Sequence, residues 1–250
     1  MLERAVEQGI NFFDTSAGYQ WKASMTSEGR YGQILPKYRD RIIICTKFNS
    51  RDAGNARKEF EQSLKLMKTD YVDILMLHSV EPSEDLSAFE KGAYREMVKL
   101  KEQGLARFLG FSSMNSAQKS KELIEKLDLD VVMLAMNPTK YGDFAKVTLP
   151  AARKKNMGIL AMKVMRDIVG KEASAKELLH YAWTQEGVAS ALVGHYGMDV
   201  LEENVRLARE FGTTGKVIVD NRTLERKLAH LAGPHTLCWV RPGYFDGMMC

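Results

Sequence analysis

Cysteine is scarce in this chain of 250 residues: Cys45, Cys238 and Cys250 are an odd number and lie far apart. A disulfide scaffold or a four-cysteine metal site cannot be built from them within one chain, and a reducing, cytoplasmic setting is the expectation that follows. Long apolar runs are missing too. Stretches such as Val131–Met136 fall far short of the roughly 20 residues that cross a bilayer, so no membrane association is expected. The opening Met1-Leu-Glu-Arg-Ala-Val-Glu-Gln-Gly9 is an acidic–basic helical stretch without the apolar core of a secretory signal. Nor does one charge sign dominate: 36 Lys plus Arg stand against 32 Asp plus Glu, a net +4. With no basic block and no basic–aromatic interleaving, nucleic acid is not favoured as a partner.

What is present is an ordinary globular composition, 45% hydrophobic and 27% charged, long enough to bury a sizeable core. Short apolar runs alternate with amphipathic stretches. Ile10–Thr15, Arg41–Lys47, Val72–His78, Ala106–Ser112, Val131–Asn137, Gly158–Val164 and Ser190–Gly194 read as strands buried on both faces. Ala56–Met67, Leu86–Gln103, Ser174–Gln185 and Asp199–Phe211 read as helices, the last three stopping at or near Gly104, Gly187 and Gly212. Repetition of this kind means βαβ units and a parallel sheet. No strand end carries the G-x-G-x-x-G turn of an open dinucleotide-binding sheet. An α/β fold of the (β/α)8 barrel type is therefore expected, as one domain over residues 1–250. From about residue 216 to 250 the periodicity weakens, and this tail is expected to be peripheral.

Catalytic groups of such a barrel stand at the C-terminal ends of its strands. The first strand closes on Asp14, the second on Lys47 and the third on His78, with Tyr19 shortly after the first. Each has a plain alternative. Asp14 can cap a turn, Lys47 can be a solvated strand end, His78 a core histidine, and Tyr19 a loop aromatic. Together they suit one task. A cation beside a phenol lowers its pKa, a carboxylate orients that cation, and the phenol then serves as general acid with the histidine polarising an oxygen acceptor.

Several stretches carry a resemblance to a known family. They are Gly9-Ile-Asn-Phe-Phe-Asp14-Thr-Ser-Ala-Gly-Tyr19, Ser27-Glu28 with Gly32 and Leu35, Arg39–Lys47, Ser63–Asp73 through Leu77-His78, Lys101–Arg107 with Gly110-Phe-Ser112, and Leu201-Glu-Glu-Asn204. In these the chain resembles the aldo-keto reductases from about Leu2 to Phe211. The resemblance implies reduction of an aldehyde or ketone by NADP(H) or NAD(H), with Tyr19, Lys47, Asp14 and His78 as the catalytic residues. It also implies cofactor contacts from Ser112, Ser113, Met162, Lys163, Glu203 and Asn204. Trp21, two residues past the acid, is a candidate substrate-facing wall.

The departures from the family pattern carry information. Ser113 stands where the family has Asn, Met133 where it has Gln, and Met162 where an aromatic often covers the nicotinamide. Gly194 and Val200 occupy the positions of the cations that grip a 2′-phosphate, so weak discrimination or a tilt towards NAD is expected. The methionines at 133, 136 and 162 resemble a subgroup that often carries a C-terminal iron–sulfur segment, but Cys238 and Cys250 alone cannot hold a cluster. A catalytically weak nucleotide-binding or regulatory member of the same fold is the alternative to an active enzyme.

Seven strands are visible where the family has eight, and the one without a counterpart is the first. An incomplete barrel is therefore expected, with two open edges. Lower stability than a full barrel should result, unless the tail or a second copy covers the gap.

Overall fold

The computed structural model describes residues 1–20, 24–215 and 219–247. Trp21 and Cys250 lie outside the described residues. The strands are β1 (Phe12–Asp14), β2 (Ile43–Phe48), β3 (Val72–Leu77), β4 (Ala106–Ser113), β5 (Val131–Ala135), β6 (Gly158–Met162) and β7 (Val188–Ala191). The helices are α1 (Leu2–Glu7), α2 (Ser27–Ile34), α3 (Ala53–Met67), α4 (Leu86–Phe89), α5 (Arg95–Glu102), α6 (Ala117–Lys126), α7 (Phe144–Val147), α8 (Leu149–Lys154), α9 (Ala175–Trp183), α10 (Met198–Thr214) and α11 (Asn221–Leu228).

All seven strands are parallel neighbours in chain order, β1 to β7, forming one curled sheet whose edges are β1 and β7. This is the expected incomplete (β/α)8 barrel. Every residue of β3 and of β5 is buried, as strands covered on both faces must be. The intervening helices begin where side chains satisfy their free N–H groups. Thr26 accepts from Gly29 N, Asp52 from Asn55 N and Ser116 from Lys119 N. Ser174 and Glu177 close a reciprocal capping box on α9.

Two helices depart from the sequence expectation. The stretch expected to run unbroken from Leu86 to Gln103 is interrupted by a π-helical turn at Glu90–Tyr94, where Gly92 leaves helical geometry (φ −98°, ψ −109°). A Cβ at Gly92 would lie 2.4 Å from Arg51 O, so only glycine lets the loop after β2 approach this closely. Further on, α10 continues through Gly212 and stops at Gly215, whose φ of 57° supplies the left-handed cap.

At the surface α1 and α10 face each other. Arg4 pairs with Glu202 at 3.3 Å, and Arg209 donates to the backbone and side-chain oxygens of Gln8, both at 2.9 Å. A cleft of about 330 Å³ lies between these helices. The tail, expected at the periphery, instead contributes Leu224, Leu228, Leu237 and Trp239 to the core. Its apolar residues are too few and irregular to show a period, yet these four are buried. Cys45 is a buried free thiol. Cys238 is disulfide-bonded, where the scarcity of cysteine pointed to a reducing setting.

Candidate active site

The parallel sheet brings the C-terminal ends of its strands to one rim, and the four residues singled out by sequence meet there. Asp14 closes β1, Lys47 is the penultimate residue of β2, and His78 follows β3 directly. In-register pairing places Asp14 against Cys45 and Lys47 against Met76. The loop after β1 is held back onto this rim by Thr15 N donating to Cys45 O at 2.9 Å and Ala17 N donating to Lys47 O at 3.0 Å, which sets Tyr19 beside the strand ends.

Lys47, only 1% exposed, donates to both oxygens of Asp14 at 2.7 Å and to Thr15 O at 2.8 Å. Burial opposes its charge, but the Asp14 carboxylate outweighs that penalty and holds the ammonium above its ordinary pKa. The Lys47 ammonium lies 5.2 Å from the centre of the Tyr19 ring. The expected lowering of the phenol pKa does not occur. Burial, together with the carboxylates of Asp246 and Asp14, pushes Tyr19 well above its ordinary value. The Lys47 charge is already compensated by Asp14, so little of it reaches the phenol. Tyr19 is therefore a protonated donor.

His78 packs edge-on against Tyr19, with ring centroids 5.5 Å apart. Its Nδ1 lies 3.1 Å from Ser16 Oγ and 2.9 Å from Asn49 Oδ1, and its Nε2 lies 3.0 Å from Asp246 Oδ2. A carboxylate only accepts, so Nε2 carries a proton. Burial lowers the pKa of this imidazole; at Nδ1 the ring meets Asn49 Oδ1, which accepts, and the Ser16 hydroxyl, whose own proton goes to Lys47 O at 3.3 Å. Tyr19 O–H donates to the same Asp246 Oδ2 at 3.0 Å.

The expected cofactor contacts divide. Ser112 Oγ accepts from Ser79 N at 2.9 Å, which leaves its own hydroxyl proton to donate. Ser113 Oγ is committed to Val80 O at 3.0 Å. The Met162 side chain belongs to the buried core. Lys163 is held by Asp246 and by Tyr244 Oη, the latter at 3.1 Å, and burial draws its ammonium below its ordinary pKa. On α10, Glu203 is exposed whereas Asn204 is 7% exposed with its Nδ2 unpartnered. His195, in the loop ahead of α10, likewise leaves Nε2 without a partner.

Asp246 was not foreseen, nor were Ser16, Asn49 and Tyr244. Asp246 lies in Gly243-Tyr-Phe-Asp-Gly247, a polar–aromatic run bracketed by glycines. That bracket is the only signal in the sequence, and it says nothing of a return to the strand ends. Burial alone would raise the Asp246 carboxyl, but the His78 hydrogen bond and the Lys163 charge hold it well below the usual carboxylate range.

Comparison with known proteins bears on the fold and the family. L-galactose dehydrogenase of Arabidopsis thaliana is 26% identical over 276 aligned positions, covering 95% of this chain and 85% of that protein. Methylglyoxal reductase DkgA of Yersinia pestis is 34% identical over 109 positions, which cover 44% of this chain and 37% of that protein. A solved Pseudomonas aeruginosa structure assigned to the aldo-keto reductases superposes with a TM-score of 0.69 at 25% identity, over 84% of this chain and 81% of that one. The sequence profile of the aldo/keto reductase family matches residues 1–168. Those residues carry the first six strands and all four strand-end groups, and the chain belongs to the aldo/keto reductase family of NAD(P)H-dependent oxidoreductases.

Proposed function

We propose that this enzyme reduces the carbonyl of a small aldehyde or ketone to an alcohol, with Tyr19 as the proton donor. The observation that carries the proposal is the convergence of Tyr19 O–H and His78 Nε2–H on a single oxygen position, each at 3.0 Å. Two preorganised donors aimed at one oxygen stabilise the negative charge that develops there as a carbonyl becomes an alkoxide. The Nε2–H of His78 polarises, and the protonated Tyr19 gives up its proton. Lys47 and Asp14 act behind the phenol as a buried, mutually neutralising pair that fixes the floor of the site.

A nicotinamide cofactor supplies the hydride when bound. Asn204, with its buried amide nitrogen unpartnered, fits the acceptor edge of a purine. Ser112 has a hydroxyl proton to offer a carboxamide. The absence of cations at Gly194 and Val200 argues for weak discrimination between NADP and NAD, or a tilt towards NAD. The commitment of Ser113 to Val80 O favours the second reading, a nucleotide-binding member with little catalysis.

The experiment is NAD(P)H oxidation with a panel of aromatic and sugar aldehydes, run beside Tyr19→Phe. The phenol proton predicts a loss in kcat of roughly 10²–10⁴-fold with cofactor affinity unchanged. Equal inactivity of the two proteins while both still bind cofactor supports the second reading. NADPH binding at least tenfold tighter than NADH, by the order of one charge-assisted contact, defeats the predicted cofactor preference.

A further inference from the structure

Asp246 Oδ2 occupies the one position on which both proposed carbonyl donors converge. A substrate oxygen and this carboxylate oxygen cannot be there together. The second oxygen, Oδ1, accepts from Tyr244 O–H at 3.0 Å and from Lys163. Asp246 is 6% exposed, so four donors hold a buried anion in the centre of the site. Its neighbours seat it further. Gly247 lies against the acid, since a Cβ there would stand 2.7 Å from Tyr19 Cδ1. Phe245 covers Gly18, where a Cβ would stand 3.1 Å from the Phe245 ring.

The segment is anchored on its upstream side and bracketed by glycines. Upstream, Leu237 and Trp239 are buried, Trp239 packs edge-on against Tyr141, and Cys238 N donates to Asp167 at 2.8 Å. From Arg241 to Gly243 the chain is exposed, and Phe245 is 48% exposed. Gly243 and Gly247 flank the inserted residues at φ values of 78° and 103°, where glycine alone turns freely. Within residues 243–247, Phe245 is half-exposed and Tyr244 packs partly against the core, while Asp246 is the buried residue and makes the polar contacts to the site.

We propose that the C-terminal segment 243–247 is an intramolecular inhibitor, with Asp246 standing in the carbonyl-oxygen position and competing with substrate for Tyr19 and His78. The proposal rests on the reductase reading above. It makes the free enzyme a mixture of closed and open forms, with apparent affinity reduced by the open fraction.

The test compares wild type with Asp246→Ala and the near-isosteric Asp246→Asn, using 4-nitrobenzaldehyde and NADPH. Removal of the internal competitor lowers KM for the aldehyde by about tenfold or more in Asp246→Ala without loss of kcat. Asp246→Asn falls between, because it keeps the shape and loses the charge. Acetate, which replaces the missing carboxylate, inhibits Asp246→Ala competitively against the aldehyde and leaves wild type unaffected. An unchanged KM with a fallen kcat overturns the proposal and makes Asp246 part of the machinery.

A second measurement needs no turnover: the His78 ring 15N resonances followed during acetate titration. They shift saturably in Asp246→Ala and not in wild type if Asp246 blocks the site. Equal shifts in the two proteins overturn the proposal. If neither protein oxidises NADPH while acetate still binds only the variant, the reductase reading fails and occupancy of the oxygen position by Asp246 stands.

Discussion

Asp14→Asn is the sharpest probe of the site's foundations, because it removes one charge from a pair that water barely reaches. Lys47 is 1% exposed, and its acceptors among the described residues are the two Asp14 oxygens and Thr15 O. The substitution keeps the shape and leaves a buried ammonium without a counter-charge. Breaking one side of a buried ion pair costs about 3–5 kcal/mol, and this geometry belongs in that range at pH 7. The pH dependence fixes the cause. In wild type the folded-state pKa of Lys47 is raised, so its contribution is complete below the unfolded value of about 10.4 and fades only as pH rises through the folded value. In the variant the Asp14 contribution is gone, burial becomes the dominant influence, and the folded value falls below the unfolded one. The unfolded chain then holds the proton more tightly, and stability recovers as pH rises towards about 10. Urea unfolding followed by far-ultraviolet circular dichroism, at intervals from pH 7 to 10, reads both effects. The gap between wild type and Asp14→Asn should be widest at pH 7 and narrow steadily. Adding Lys47→Met should recover at least half of the loss, since it removes the stranded charge. A cost below about 1 kcal/mol at pH 7, in the range of an exposed pair, refutes the reasoning, as does a gap that stays constant with pH.

Other sites give independent checks. Gly32→Ala places a Cβ 2.0 Å from Leu66 O, where α2 crosses α3, and the backbone shift it forces should cost about 1–3 kcal/mol in thermal unfolding. Asp73 receives Arg39 at 2.8 Å, Arg107 at 3.0 Å and Ile44 N at 2.9 Å. Asp73→Ala takes the carboxylate from the largely buried Arg39 and leaves a buried N–H unpaired, while the exposed Arg107 turns to solvent, and chemical denaturation should show a loss of about 1–3 kcal/mol. Ser174→Ala dissolves the capping box of α9 and should cost about 1 kcal/mol, read from the same unfolding curves.

Much of the fold was legible because a strand buried on both faces must be apolar throughout. Val72–Leu77 and Val131–Ala135 therefore stand out from the mixed sequence around them. The strand-end residues were legible for the complementary reason. An aspartate, a lysine and a histidine that each terminate such a run have no reason to be there unless something pairs with them. Less could be read where tertiary contact overrides local preference. The break at Gly92 depends on how closely the Arg51 carbonyl approaches, and α10 passes through Gly212 because its real cap is Gly215. Ser113 looked available to a cofactor, but its partner, Val80 O, lies on the neighbouring strand's loop.

Scarce cysteine, missing long apolar runs and seven short apolar stretches were enough for the sequence alone to determine a parallel α/β chain with Asp14, Lys47, Tyr19 and His78 as its chemical candidates. Those properties are local: strand burial, chain order and residue type are written along the chain. Tertiary structure decided what each group faces. It placed the Lys47 charge on Asp14 rather than on the phenol, tied Cys238 into a disulfide, and carried Asp246 from the unpatterned tail back to the Tyr19 hydroxyl. Contacts between residues 227 positions apart leave no period in a sequence. They arise because a folded rim gathers donors, and a buried carboxylate is stable only where donors have been gathered.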